Sequence, residues 1–96
     1  MDVLLAYDVD TTTPQGRRRL RRMAQLCEGF GLRVQQSVFE MVCSDADLVL
    51  LTHKAADIID PQYDSVRIYR LPNNTFHQVT TLGIQPDLPH RDGIII

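Results

Sequence analysis

The sequence predicts an α+β sandwich in which two amphipathic helices cover one face of an antiparallel sheet. Three observations carry that expectation. The first ten residues hold a nearly continuous apolar run, Val3 to Val9, of the kind a central strand shows. Two stretches with apolar residues at helical spacing follow, each opened by a capping residue and separated by a β-rich segment. The chain has 96 residues, enough for about one domain and too few for two cores. A domain of this size buries only roughly 60–65% of its unfolded surface, which favours association of copies.

Residues 2–9 read as the first strand. Alternation places Val3, Leu5, Tyr7 and Val9 on one face and Leu4, Ala6 and Asp8 on the other. Asp8 thereby stands at the carboxyl end of the strand, directly before the polar loop Asp10 to Thr13. A carboxylate there is a candidate for chemistry; a loop cap or an arginine partner is the plainer alternative. Thr13-Pro14 opens a helix, with Thr13 as N-cap and Pro14 in the first turn. The helix is expected to run to about Gly29–Gly31, where glycine would supply a left-handed stop. Leu20, Met23, Ala24, Cys27 and Phe30 fall on one arc. Arg17, Arg18, Arg21 and Arg22 occupy the opposite arc, and Arg19 flanks the apolar edge.

Leu32 to Val42 is β-rich, but its alternation breaks near Gln35–Ser37, so one bent strand or two short strands would fit. Ser44-x-x-Asp47 reads as a capping box for a second helix ending at Ile59. Leu48, Leu51, Ala55, Ile58 and Ile59 face inward; His53, Lys54 and Asp57 face outward, with Leu50 the lone apolar residue on that side. Asp60-Pro61 ends the helix. Ser65 to Leu71 is a strand, Pro72-Asn73-Asn74 a turn, and Thr75 to Leu82 another strand or extended segment. Residues 1–82 form the domain and 83–96 a C-terminal extension. Its closing Gly93-Ile94-Ile95-Ile96 is expected to pair as a strand with a sheet edge, in the same chain or in a partner copy. The order βαβ(β)αβ suits the ferredoxin-like split βαβ arrangement. Such a sheet has a second face that no helix covers, and a homodimer is the simplest way to cover it.

Hydrophobic residues at 44% and charged residues at 23% exclude a disordered tail or low-complexity array. The apolar runs are too short to span a bilayer, and no leader opens the sequence, which predicts a cytoplasmic protein without membrane contact. Cys27 and Cys43 lack C-x-x-C spacing and are expected to sit as small buried hydrophobes. His53, His77 and His90 lack the spacing of a metal cluster, and no H-E-x-x-H, nucleophile elbow or Walker loop is present. The net charge of -2 hides a segregation: residues 15–40 carry six arginines against Glu28 and Glu40, whereas residues 41–66 carry five aspartates against Lys54. Arginine's planar fork suits phosphate or carboxylate better than a lysine point charge does; a solvated helix face paired to nearby aspartates is the equal alternative.

Taken together, several motifs resemble the CRISPR-associated protein two family, the small nuclease-like subunit of the spacer-acquisition machinery. They are Tyr7-Asp8-Val9, Gly16-Arg17-Arg18-Arg19-Leu20-Arg21-Arg22, Gly31-Leu32-Arg33-Val34-Gln35-Gln36-Ser37-Val38-Phe39-Glu40 and Asp64-Ser65-Val66-Arg67-Ile68-Tyr69-Arg70-Leu71. The resemblance implies a ferredoxin-like βαββαβ fold, with two strands in the Leu32–Val42 region. It also implies a symmetric homodimer whose C-terminal strand reaches onto the partner's sheet. Asp8 of each copy would meet near the two-fold axis and hold a divalent cation, Mg²⁺. Tyr7, Arg17, Arg19, Arg33 and Phe39 match positions that the family associates with function. Two functions follow as expectations. One is a metal-dependent endonuclease cutting RNA or double-stranded DNA at Asp8. The other is a scaffold bridging copies of the CRISPR-associated protein one integrase, with DNA or RNA lying on Arg17, Arg18, Arg21 and Arg22. No general base is evident. The alternative is an RNA-binding or toxin-like ribonuclease domain on the same fold, although the six aromatic residues are scattered and no stacking platform is apparent.

Overall fold

The computed structural model describes residues 1–86. Its elements follow in the order β1 (Asp2–Asp8), α1 (Pro14–Glu28), β2 (Gly31–Gln35), β3 (Val38–Val42), α2 (Asp45–Ile58) and β4 (Ser65–Leu71), closed by a 3₁₀ turn at Thr75–Gln78. The strands form one antiparallel sheet in the spatial order β2-β3-β1-β4, the expected ferredoxin-like arrangement. The β-rich segment is two strands. A register shift between Arg33 and Gln35 breaks the alternation there, and the Tyr7 amide donates to the Ser37 carbonyl at the turn.

β1 lies centrally, paired to β3 and β4 with Leu5 opposite both Phe39 and Ile68. Val3, Leu5, Tyr7 and Val9 are buried on the helix side, as alternation predicted. They meet Met23 and Cys27 of α1, Phe39 and Met41 of β3, and Leu48, Leu51 and Ala55 of α2. Each large side chain removed from water in this layer contributes about 1.5–3 kcal/mol. Thr13 caps α1 by accepting from the Gly16 amide, and Ser44 with Asp47 forms the reciprocal capping box of α2. Gly16 has a tertiary role as well: a Cβ there would overlap the Asp10 carbonyl oxygen, so only glycine lets α1 sit this close to the loop.

Four expectations change. Gly29 closes α1 in right-handed rather than left-handed geometry (φ -73), because its amide and that of Phe30 continue the helical bonding to Gln25, Leu26 and Cys27. Leu50 is not the lone outward apolar residue of α2. Val49 is 61% exposed, one helical step away from the buried line of Leu48. The segment starting at Thr75 is no strand, since Asn74 turns the chain with φ 67 and Thr75–Gln78 winds as 3₁₀. The first strand ends at Asp8, one residue before the expected limit, with Val9 still buried. The strand expected at Gly93–Ile96 lies outside the described residues.

The face of the sheet away from the helices carries Leu4, Ala6 and Asp8, opposite Glu40 and Val38 on one side and Tyr69, Arg67 and Ser65 on the other. The chain covers part of this face itself. Phe76 is buried and its amide donates to Asp2 Oδ2 at 2.9 Å; Val79 to Leu82 then border Val34, Gln35 and Glu40. Val42 at 68% and Tyr69 at 39% remain exposed. No helix among the described residues is long and apolar enough to cross a membrane.

Candidate functional site

The carboxyl end of β1 places two neighbouring candidates on opposite sides of the sheet. Asp8 is exposed, across from Ser65 of β4. Tyr7 points to the helix side, where its ring stacks on Phe39 with centroids 6.1 Å apart and planes 24° from parallel. The Arg33 guanidinium lies over the other partner of that stack, 5.2 Å from the Phe39 ring centre. Burial pushes the Tyr7 hydroxyl above its ordinary pKa, and the adjacent Arg33 opposes that shift. Arg33 also approaches Glu28 at 3.6 Å, a solvent-exposed pair of small energetic weight. A groove of about 420 Å³ runs along this strand end, lined by Tyr7, Asp8, Thr11, Arg21, Arg33 and Gln36 among others. Here Tyr7 and Asp8, from the two sides of β1, border a common space.

Of the other sequence candidates, Arg17, Arg18, Arg21 and Arg22 are exposed on α1. Arg17 donates to the Thr11 carbonyl at 3.3 Å; none of the four has a carboxylate partner among the described residues. Arg19 is different. It reaches inward and grips Asp64, Nε to Oδ2 at 2.7 Å and Nη2 to Oδ1 at 3.3 Å. The Asp64 side chain is fully buried, and it also accepts from the Asp10 and Asp60 amides at 3.0 and 2.9 Å. Burial alone would raise its pKa, but the Arg19 guanidinium and the two amides outweigh that and hold the carboxyl below the usual range. Sequence reasoning did not single out Asp64. Its signals were its place at the head of the Asp64–Leu71 motif and the position of Arg19 on the apolar edge of α1, where a charged side chain is partly buried.

Cys27 is fully buried and its thiol is pushed up to about 12, mainly by burial, so it offers no thiolate nucleophile. His53 borders a separate cleft of about 490 Å³ between α2 and Arg70 of β4, and His77 is exposed on the 3₁₀ turn; His90 lies outside the described residues. Among the described residues no three histidine, cysteine or carboxylate groups converge on a metal position. Among the described residues, the groove at the strand end is thus lined by a single carboxylate, Asp8. That suits a cation such as Mg²⁺, which keeps most of its waters, provided a second carboxylate joins it.

Comparison with known proteins accords with this geometry. The family model described as CRISPR associated protein Cas2 matches residues 1–79. The chain is 41% identical over 95 residues to the CRISPR-associated endonuclease Cas2 of Halalkalibacterium halodurans, covering 99% of each. It is 49% identical over 84 residues to a CRISPR-associated endoribonuclease Cas2 of Moorella thermoacetica, covering 88% of each. The crystal structure of Streptococcus pyogenes Cas2 at pH 6.5 superposes with a TM-score of 0.78 at 49% identity, covering 86% of this chain and 100% of that one. With its sheet order, its strand-end Asp8 and its arginine-bearing first helix in common with the sequence motifs, the chain belongs to the CRISPR-associated Cas2 family.

Proposed function

We propose that two copies pair through the sheet face away from the helices and act as a nucleic-acid-binding scaffold in CRISPR spacer acquisition. In this role the pair bridges copies of the integrase, the CRISPR-associated protein one, and carries a metal-dependent endonuclease centre at Asp8. The observation that carries the reading is the four exposed guanidinium groups of α1, free of acidic partners among the described residues and in the same protomer as an exposed strand-end carboxylate. Unpaired arginines bind phosphate without sequence choice, as a scaffold for varied polynucleotides requires. The relatives' names, endonuclease and endoribonuclease, support the hydrolytic part.

Pairing supplies what one chain lacks. Two-fold symmetry brings a second Asp8 from the same position, and the two carboxylates would hold the Mg²⁺ that polarises a phosphodiester and acidifies water. Asp8 would bind the cation, Arg17 and Arg33 would orient phosphate, and the Tyr7–Phe39 stack would keep the end of β1 in place. The exposed Val42 and Tyr69, with the partly buried Leu4 and Ala6 between them, support the pairing face.

The test is cleavage of RNA and of duplex DNA by pure wild type and by Asp8→Asn, with Mg²⁺ and with EDTA. Loss of at least about a hundredfold in Asp8→Asn, with polynucleotide binding retained, is expected. Equal cleavage by both proteins removes Asp8 from the reaction and leaves only the scaffold. A persistent monomer at micromolar concentration removes the shared centre.

A further inference from the structure

Asp64 accepts four hydrogen bonds from three separate parts of the chain. Arg19 of α1 supplies two, the Asp10 amide one and the Asp60 amide one. Asp10 lies two residues beyond Asp8, and Asp64 directly precedes Ser65, the cross-strand partner of Asp8. The buried carboxylate therefore ties the loop leaving β1, at Asp10, to the turn that leads from Asp60 into β4, on both sides of the strand end that presents Asp8. Gly16 adds to this closeness, since its missing side chain lets the first turn of α1 rest on the Asp10 carbonyl.

The ion pair has a consequence for Arg19. Arg19 spends its Nε–Nη2 edge on a buried acid and its side chain is only 17% exposed, which leaves it the least available of the helix's arginines to a phosphate. The other arginines of the helix remain exposed. Resting on the Asp8-centred reading above, we propose that Arg19 and Asp64 form one positioning unit for the Asp8 carboxylate, and that Arg19 acts through Asp64 instead of touching the substrate.

The test combines two readouts on the full chain with the variants Arg19→Lys, Asp64→Asn and the double variant. Mn²⁺ titration followed by electron paramagnetic resonance reads the cation affinity of the Asp8 centre, and steady-state cleavage with Mg²⁺ separates kcat from KM. Partners that orient a metal-binding group are typically worth ten- to a hundredfold, so each single variant should lower Mn²⁺ affinity and kcat by about tenfold. KM for polynucleotide should stay within about twofold, and the double variant should be no worse than the poorer single one, as for residues acting as one unit. Amide exchange at Asp10 should quicken in Asp64→Asn while circular dichroism remains that of the folded chain. The proposal is overturned if Arg19→Lys raises KM while Asp64→Asn behaves as wild type, or if the two effects multiply. A wild type that cuts nothing overturns the nuclease reading instead. The positioning unit is then decided by Mn²⁺ affinity and Asp10 exchange, and fails if Asp64→Asn changes neither.

Discussion

Replacing Arg17, Arg18, Arg21 and Arg22 with alanine should flatten the salt dependence of polynucleotide binding without unfolding the chain. On a duplex each neutralised phosphate adds about 0.9 to the slope of log K against log salt, so four contacts on one helix amount to about 3.6. Helical geometry divides the four into two rows, Arg17 with Arg21 and Arg18 with Arg22, separated by roughly 100° around the axis. A straight duplex lies along one row more readily than along both. The double variant of the engaged row should then remove about 1.8 of slope per copy, and the other double variant less. Fluorescence anisotropy of a labelled duplex between about 50 and 200 mM salt measures this directly. A quadruple variant with an undiminished slope would refute the arginine reading.

Stability does not confound that experiment. α1 begins at Pro14 with no acid in its first turn, so Arg17 and Arg18 lie near the positive end of the helix dipole. A cation there works against the dipole by about 0.3–1 kcal/mol. Alanine is the best helix former, so the variant should melt no lower than wild type. Truncating Arg17 also removes its hydrogen bond to the Thr11 carbonyl, which is solvent-exposed and adds little to the fold. A helix that tolerates this unfavourable placement is better understood through binding than through folding.

Three further outcomes follow from the packing. Gly16→Ala should destabilise the chain by about 1–3 kcal/mol in urea titration, against helix propensity, because the new methyl overlaps the Asp10 carbonyl; an unchanged midpoint would contradict the close approach. Asp64 is held below its unfolded pKa of about 3.9, so its contribution is complete above that value and is lost as pH falls through the folded one. Asp64→Asn should therefore cost about 1.5–3 kcal/mol at neutral pH and show a shallower fall in urea midpoint below about pH 4; parallel curves would refute the pairing. Cys27, buried and raised to about 12, should resist a thiol reagent at pH 8 and label only at the rate of unfolding, and rapid native labelling would refute its burial.

The parts of the fold legible in the sequence are those decided by neighbours along the chain. Thr13-Pro14 and Ser44 with Asp47 are local hydrogen-bonding devices, and both form as read. The inward set Val3, Leu5, Tyr7 and Val9 follows from a period of two, and Ser65–Leu71 from its β-rich run. What was not legible depends on contacts between distant residues. Arg19 meets Asp64 across 45 positions, and nothing in either local pattern names the other. Thr75–Gln78 has extended-chain composition, yet Asn74 reverses the backbone and the Phe76 amide finds Asp2 across 74 positions. Of the candidate site, Asp8 could be located because a strand end before a polar loop is visible in one dimension. The distinction between Arg19 and its neighbours was visible only as an edge position on α1.

The site positions divide by what solvent can reach. Tyr7 and Phe39 are buried and in contact with each other, and Arg19 is committed to Asp64, so under the proposed function these three would act on a substrate through the shape they impose. Asp8, Arg17 and Arg33 remain open, and Arg18, Arg21 and Arg22 extend the basic surface from the same helix. Adjacent strand residues face opposite ways, so the carboxylate and the aromatic stack cannot both line one cleft except at the last residue of β1, where the sheet ends. That is where Asp8 stands. Its position also explains why the proposed cation site needs a second copy: the open face offers Asp8 with Ser65 and Arg67 nearby in register, and among the described residues no three histidine, cysteine or carboxylate groups converge there. Under the proposed function, affinity for phosphate is then a property of each helix, whereas cation binding is a property of the pair. Separating the copies should abolish the second and leave the first.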